Sequence, residues 1–113
     1  MDLLGQAAAC SLGVRQFSGV GGQVDFIRGA HFSKGGRSII ALPSTAPLKA
    51  DKSGDSALCE NGRISRICAA FAPGQPVTTS RFDIDCVVTE HGVAELRWKS
   101  NPERMKALIG VAA

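Results

Sequence analysis

The chain has 113 residues, 44% apolar and 20% charged, with 13 basic against 10 acidic side chains and a formal net charge of +3. That is ordinary globular usage for one domain with a modest core, and it excludes a disordered tail or a multidomain machine within these residues. No apolar run approaches the ~18 residues that a membrane span needs, and Met1-Asp2-Leu3-Leu4-Gly5 carries no basic segment or continuous apolar stretch, so neither membrane insertion nor a signal peptide is expected.

In chain order, Met1 to Ser11 is Ala-rich and ambiguous between helix and strand. Arg15 to Gly22 reads as a glycine loop. Apolar residues at 24, 26, 27 and 30 predict a short amphipathic helix over Gln23 to Phe32, opening directly after the glycines. Ser38-Ile39-Ile40-Ala41-Leu42, stopped by Pro43, fits a strand buried on both faces of a parallel sheet. Residues 47–61 mix Pro, Lys, Asp, Ser and Gly and are expected to form a flexible loop. Gly62 to Ile67 alternates like a strand, Pro73-Gly74-Gln75-Pro76 is a turn, Val77 to Ser80 is β-prone, and Ile84 to Thr89 reads as a second buried strand. Gly92 to Leu96 is expected to be a helical turn. Ser100 and Glu103 form a capping box with Pro102 in the first turn, and Met105, Leu108, Ile109 and Ala112 then share one face. Interleaved strands and helices predict an α/β domain: a small, mainly parallel or mixed sheet flanked by helices, forming one unit over residues 1–113.

Cys10, Cys59, Cys68 and Cys86 are 49, 9 and 18 positions apart, with no C-x-x-C pair and neither His31 nor His91 in zinc-finger spacing. They read as small buried hydrophobes in a reducing cytoplasm, with no metal expected. The cations do not cluster in sequence, and only Trp98 and five Phe accompany them, which argues against nucleic acid as a partner.

Three segments could carry chemistry. Gly19-Val20-Gly21-Gly22 precedes a helix, where bare backbone and free N–H groups favour an anion or a developing negative charge. Alone it is a weak motif, and a tight packing loop explains it as well. Thr89-Glu90-His91-Gly92 ends a strand, the edge at which α/β folds place ligands. On a strand Glu90 and His91 point apart and act together only across a bend, so Glu90 reads as an organiser of the turn. Leu42-Pro43-Ser44-Thr45 offers two hydroxyls in a post-strand turn. Asp83 and Asp85 share a face but lack a third ligand at metal spacing, and Trp98 reads as a core or interface residue.

Several stretches together resemble the C-terminal domain of the acetyl-CoA hydrolase/transferase family, which includes 4-hydroxybutyrate and butyrate:acetate CoA-transferases. They are Asp2 to Gln6, Arg15-Gln16-Phe17-Ser18-Gly19-Val20-Gly21-Gly22-Gln23-Val24-Asp25-Phe26-Ile27-Arg28-Gly29-Ala30, Ser33 to Ala46, Gly62 to Ile67, Val77 to Arg81, Val87 to Arg97 and the final helix. The resemblance implies covalent catalysis. A glutamate carboxylate attacks an acyl-CoA thioester, an acyl-glutamyl anhydride and then a glutamyl-CoA thioester form, and CoA passes to a second carboxylic acid. It also implies that Gly21 and Gly22 contact acyl-CoA, with the Gly22 N–H suited to the thioester oxyanion. None of Glu60, Glu90, Glu95 or Glu103 matches the family's nucleophile, so a truncated domain without catalytic activity of its own is expected. This chain also has Ala8-Ala9-Cys10 where the family usually has Asn-Ala-Glu, and Trp98 where a glycine before Lys-Ser is usual. The rival expectation is a non-catalytic remnant that binds a partner or forms a homo-oligomer through apolar surface.

Overall fold

The structure, a computed structural model, describes residues 1–47, 58–59 and 62–113. The loop expected over 47–61 lies almost wholly outside the described residues.

Among these residues the architecture is α/β, with three small sheets and two helices. A hairpin joins β1 (Ser11–Leu12) to β2 (Arg15–Gln16). Its two-residue turn begins at Gly13 with φ +55°, a conformation that glycine takes without a Cβ clash. The segment expected to be a loop from Arg15 therefore opens with a short strand. The central sheet is mixed, in the order β3-β7-β8. β3 (Ile39–Ala41) runs parallel to β7 (Cys86–Thr89), with Ile40 opposite Val87, and β7 pairs antiparallel with β8 (Gly92–Glu95). β4 (Thr45–Pro47), β6 (Arg63–Ser65) and β5 (Leu58–Cys59) form an antiparallel sheet with β6 in the middle.

Two expectations about this sheet need correction. β3 pairs in parallel as predicted, but it is an edge strand, and Ile39 is exposed rather than buried. Gly92 to Leu96 is not a helical turn. Glu90 and His91 make a two-residue turn that folds β8 back on β7, with Thr89 opposite Gly92 and Val87 opposite Ala94. The residues then alternate with period two: Val93 and Glu95 point outward, while Ala94 and Leu96 are buried.

The core joins Val87, Ala94 and Leu96 of the sheet region to Ile84, Ile27, Ile67, Leu108 and Val111. α2 (Asn101–Ile109) packs on β8, and the expected capping box closes its start. Its buried residues are Arg104 and Leu108, continued by Val111 just past the helix end, whereas Met105 and Ile109 are solvent-exposed. A guanidinium sits on the core side because Arg104 Nε, Nη1 and Nη2 donate to the carbonyls of Leu4, Leu96 and Arg81 at 2.9, 2.9 and 2.7 Å. That bonding offsets the cost of burying the group. Gly5, at φ +87°, leaves room for it, since a Cβ there would stand 2.7 Å from Arg104 Nη2. The amino-terminal stretch is neither helix nor named strand. Asp2 Oδ1 accepts from the Leu4 and Gln6 amides, and Ala7 exchanges backbone hydrogen bonds with Thr79. The β-prone 77–80 segment contributes only that bridge. Cys10, Cys68 and Cys86 are free thiols, and burial pushes the Cys68 and Cys86 thiols up from their ordinary values.

Candidate functional site

α1 (Gln23–Phe32) forms where the spacing predicted it. Gly22 is its N-cap, and the Phe26 amide donates to the Gly22 carbonyl at 3.1 Å to close the first turn. Gly21 carries φ +65°, the left-handed conformation that lets the chain swing into the helix without a Cβ penalty. No side chain caps this helix. Among the described residues no acceptor takes the Gly22 N–H, and both glycines face solvent. The result is an open helix N-terminus with unpaired amides and the positive end of the helix dipole. A Cβ on Gly22 would meet only the Phe26 ring, at 3.7 Å, so the glycine is not required by packing within this chain.

Few contacts hold α1 in place. Gln23 Nε2 donates to Thr79 Oγ1 at 2.8 Å, tying the helix start to the bridge at Ala7. Ile27 is its one buried residue. His31 Nε2 stands 3.2 Å from Asp85 Oδ2 at the other end. Phe26, expected on the apolar face, is 84% exposed, and Phe32 is 90% exposed. Gly36 ends the connection under a strict demand, because a Cβ there would lie 1.9 Å from the Ala30 carbonyl oxygen.

Two further candidates, Ser44 and the Glu90-His91 pair, come together at the carboxyl ends of β3 and β7. The Ser44 amide donates to Glu90 Oε2 at 2.8 Å, and Ser44 Oγ donates to Glu90 Oε1 at 2.6 Å. His91 Nε2 lies 3.2 Å from the same hydroxyl. The turn supplies the bend that lets neighbouring Glu90 and His91 converge, and the Glu90 carboxylate reaches across to the Ser44 loop, while the His91 amide donates to Thr89 Oγ1 within the turn. The Ser44 hydroxyl and amide hold the Glu90 carboxyl at about 2. Beside them Ala41, Leu42, Pro43 and Val88 line a shallow, mostly apolar cleft of about 570 Å³. The carboxylate occupies the serine hydroxyl, so the trio braces two loops and is not a nucleophile with its base.

Asp83 and Asp85 do not act as a pair. Asp85, 5% exposed, accepts from the Ser38 amide at 3.0 Å and faces His31 and Arg97, a hub that strand alternation did not reveal. Among the described residues no three His, Cys, Asp or Glu side chains converge on one point. Trp98 is not in the core: it is 88% exposed at φ +61°. The Lys99 amide donates to the Leu96 carbonyl around it, so Trp98 occupies the position of a type II turn that favours glycine.

Comparison with known proteins gives these features a frame. The model of the acetyl-CoA hydrolase/transferase C-terminal domain matches residues 1–113. The chain is 50% identical over 112 residues to 4-hydroxybutyrate coenzyme A transferase of Clostridium kluyveri, covering 99% of this chain and 23% of that protein. It is 46% identical, with the same coverage, to succinyl-CoA:cyclohexane-1-carboxylate CoA transferase of Geobacter metallireducens. The crystal structure of RipA from Yersinia pestis superposes on the whole chain with a TM-score of 0.78 at 41% identity, over 22% of its own length. The chain thus spans less than a quarter of these relatives.

Proposed function

Because the chain belongs to the acetyl-CoA hydrolase/transferase C-terminal domain family, we propose that it supplies the glycine wall of a CoA-transferase active site, built on Gly21 and Gly22. The observation that carries this reading is the exposed, uncapped start of α1, where the Gly22 amide has no acceptor among the described residues. An amide fixed in that way is a preorganised donor for the oxygen of a thioester under attack, worth on the order of 3 kcal/mol of barrier. Gly21 sets the backbone direction, and the bare Gly22 lets the thioester come close.

None of Glu60, Glu90, Glu95 and Glu103 stands where the family resemblance places the nucleophile, so the nucleophilic carboxylate is assigned to another polypeptide segment. Glu90 is committed to Ser44 and Glu103 to the Ser100 cap, while Glu95 pairs with Arg37 at 2.8 Å. In the reaction a glutamate oxygen adds to the thioester carbon and the C–S bond breaks, giving an anhydride and CoA thiolate. The thiolate attacks the glutamyl carbonyl and releases the first acid. The acceptor carboxylate then takes the acyl position by the reverse sequence. Acyl-CoA and small carboxylic acids are the partners, and no metal enters. Replacing the residue matching Gly22 by a bulky one in a full-length relative should sharply reduce transfer; unchanged turnover would sink the assignment. Incubating the 113-residue chain alone with acetyl-CoA and a carboxylate should give no exchange.

A second reading has its own observation. Leu12, Phe26, Phe32 and Phe82 are each more than three-quarters exposed. Such a surface suits a non-catalytic self-association or interaction module. Gel filtration and calorimetry separate the two: a stable dimer without CoA affinity favours this module, and CoA binding favours the glycine wall.

A further inference from the structure

A second cleft, of about 430 Å³, lies at the far end of α1. His31 lines it, nine residues and about 14 Å along the helix from Gly22. Four permanent cations, Arg81, Arg97, Lys99 and Arg104, face it against a single carboxylate, Asp85. Asp85 is already engaged by the Ser38 amide and His31, and Arg97 Nε is 3.7 Å from it. Arg104 is held rigidly by three carbonyl oxygens and has no carboxylate within ion-pair distance among the described residues. The excess of positive charge is therefore built into the cleft.

Two aromatic rings stand among these cations. Arg81 lies over Phe82 at 4.8 Å and Arg97 over Trp98 at 5.2 Å. Arg97 covers one face of the indole, and at 88% exposure the other is open. Trp98 holds that position on a left-handed backbone, where a large side chain is disfavoured and strain often marks a functional site. A flat aromatic platform next to guanidinium and ammonium groups matches a flat base joined to phosphate. The volume lies within the range of small-ligand sites, roughly 300–1,000 Å³.

We propose that this cleft binds a phosphorylated nucleoside, the base stacking on Trp98 and the phosphates meeting Arg81, Arg97 and Lys99. The site stands on its own residues and does not depend on the role of Gly22. The nucleotide end of CoA and a free nucleotide share this chemistry.

Trp98 is the sole tryptophan, so its fluorescence reports on the site directly. Adenosine 3′,5′-bisphosphate titrated into the 113-residue chain should quench it saturably, and increasingly weakly as salt rises. Adenosine and inorganic phosphate, each alone, should bind far more weakly. By calorimetry Trp98→Gly, which suits the backbone, and Lys99→Gln should each lose about ten-fold in affinity, the size of one charge-assisted or stacking contact. CoA and ADP run in parallel identify the source: stronger binding of CoA assigns its nucleotide end, stronger binding of ADP assigns a free nucleotide, and both support the cleft. No saturable quenching, equal quenching by inorganic phosphate, or unchanged affinity in both variants would overturn it.

Discussion

The two helices have nearly the same length and begin in opposite ways. α2 starts on Ser100, whose amide and hydroxyl both bond Glu103 Oε2, at 2.8 and 2.6 Å, and its inner face is buried on β8. α1 starts on Gly22 with no side-chain cap, buries only Ile27 and shows two phenylalanines to solvent. Capping satisfies orphan amides and typically stabilises by ~1 kcal/mol, so a helix left uncapped keeps its donors available for something else. α2 serves the core, and α1 presents a surface.

That contrast can be broken by mutation, and the largest effect belongs to the α2 side. Leu108 is fully buried, so Leu108→Ala should cost about 2–5 kcal/mol in denaturant unfolding. Phe32→Ala on α1 should stay within about 0.5 kcal/mol, because the ring is 90% exposed. A comparable loss at both positions would mean that α1 is packed like α2. Trp98→Gly should stabilise the chain by about 1 kcal/mol, since glycine takes a φ of +61° without the left-handed penalty. A destabilised variant would show that the indole contributes more than its exposure suggests.

The smallest effect is the acid response of the Ser44–Glu90 brace. The folded Glu90 carboxyl, at about 2, lies below its ordinary 4.5. A depressed carboxyl contributes stability that is present above the ordinary value and is lost as pH falls from about 4.5 toward 2. Ser44→Ala removes the largest cause of the depression, the hydroxyl bond. Between pH 5 and 2 the variant should therefore lose less stability than the parent chain. An identical acid profile would show that the brace does not set the charge of Glu90.

Local signals were legible in the sequence where one period or one cap decides the outcome. The start of α1 after the glycines, the apolar β7 run and the Ser100/Glu103 cap all follow from neighbours within four residues. β8 was misread because Gly92-Val93-Ala94-Glu95-Leu96 is too short to separate period two from a helical turn, and the pairing with β7 decides it. The α2 stripe was misplaced because hydropathy cannot see that Arg104 bonds carbonyls from three separate segments. The Ser44–Glu90 contact spans 46 positions and becomes visible only once β3 and β7 pair. Within the candidate site the glycine signal was local and readable. That the Gly22 amide finds no acceptor among the described residues depends on how distant segments pack, and no spacing encodes it.

The sharpest measurement compares transfer rates of a full-length CoA-transferase carrying this domain and of its Gly22→Ala variant. The added methyl meets only the Phe26 ring at an ordinary 3.7 Å, so the helix should keep its circular dichroism and melting temperature. Alanine keeps the amide hydrogen, but its methyl stands where the thioester must approach, so kcat/KM should drop by about a hundredfold, the scale of an oxyanion donor held out of reach. A folded variant whose rate stays within about twofold of the parent, well under the tenfold that 1.4 kcal/mol would give, would contradict the account.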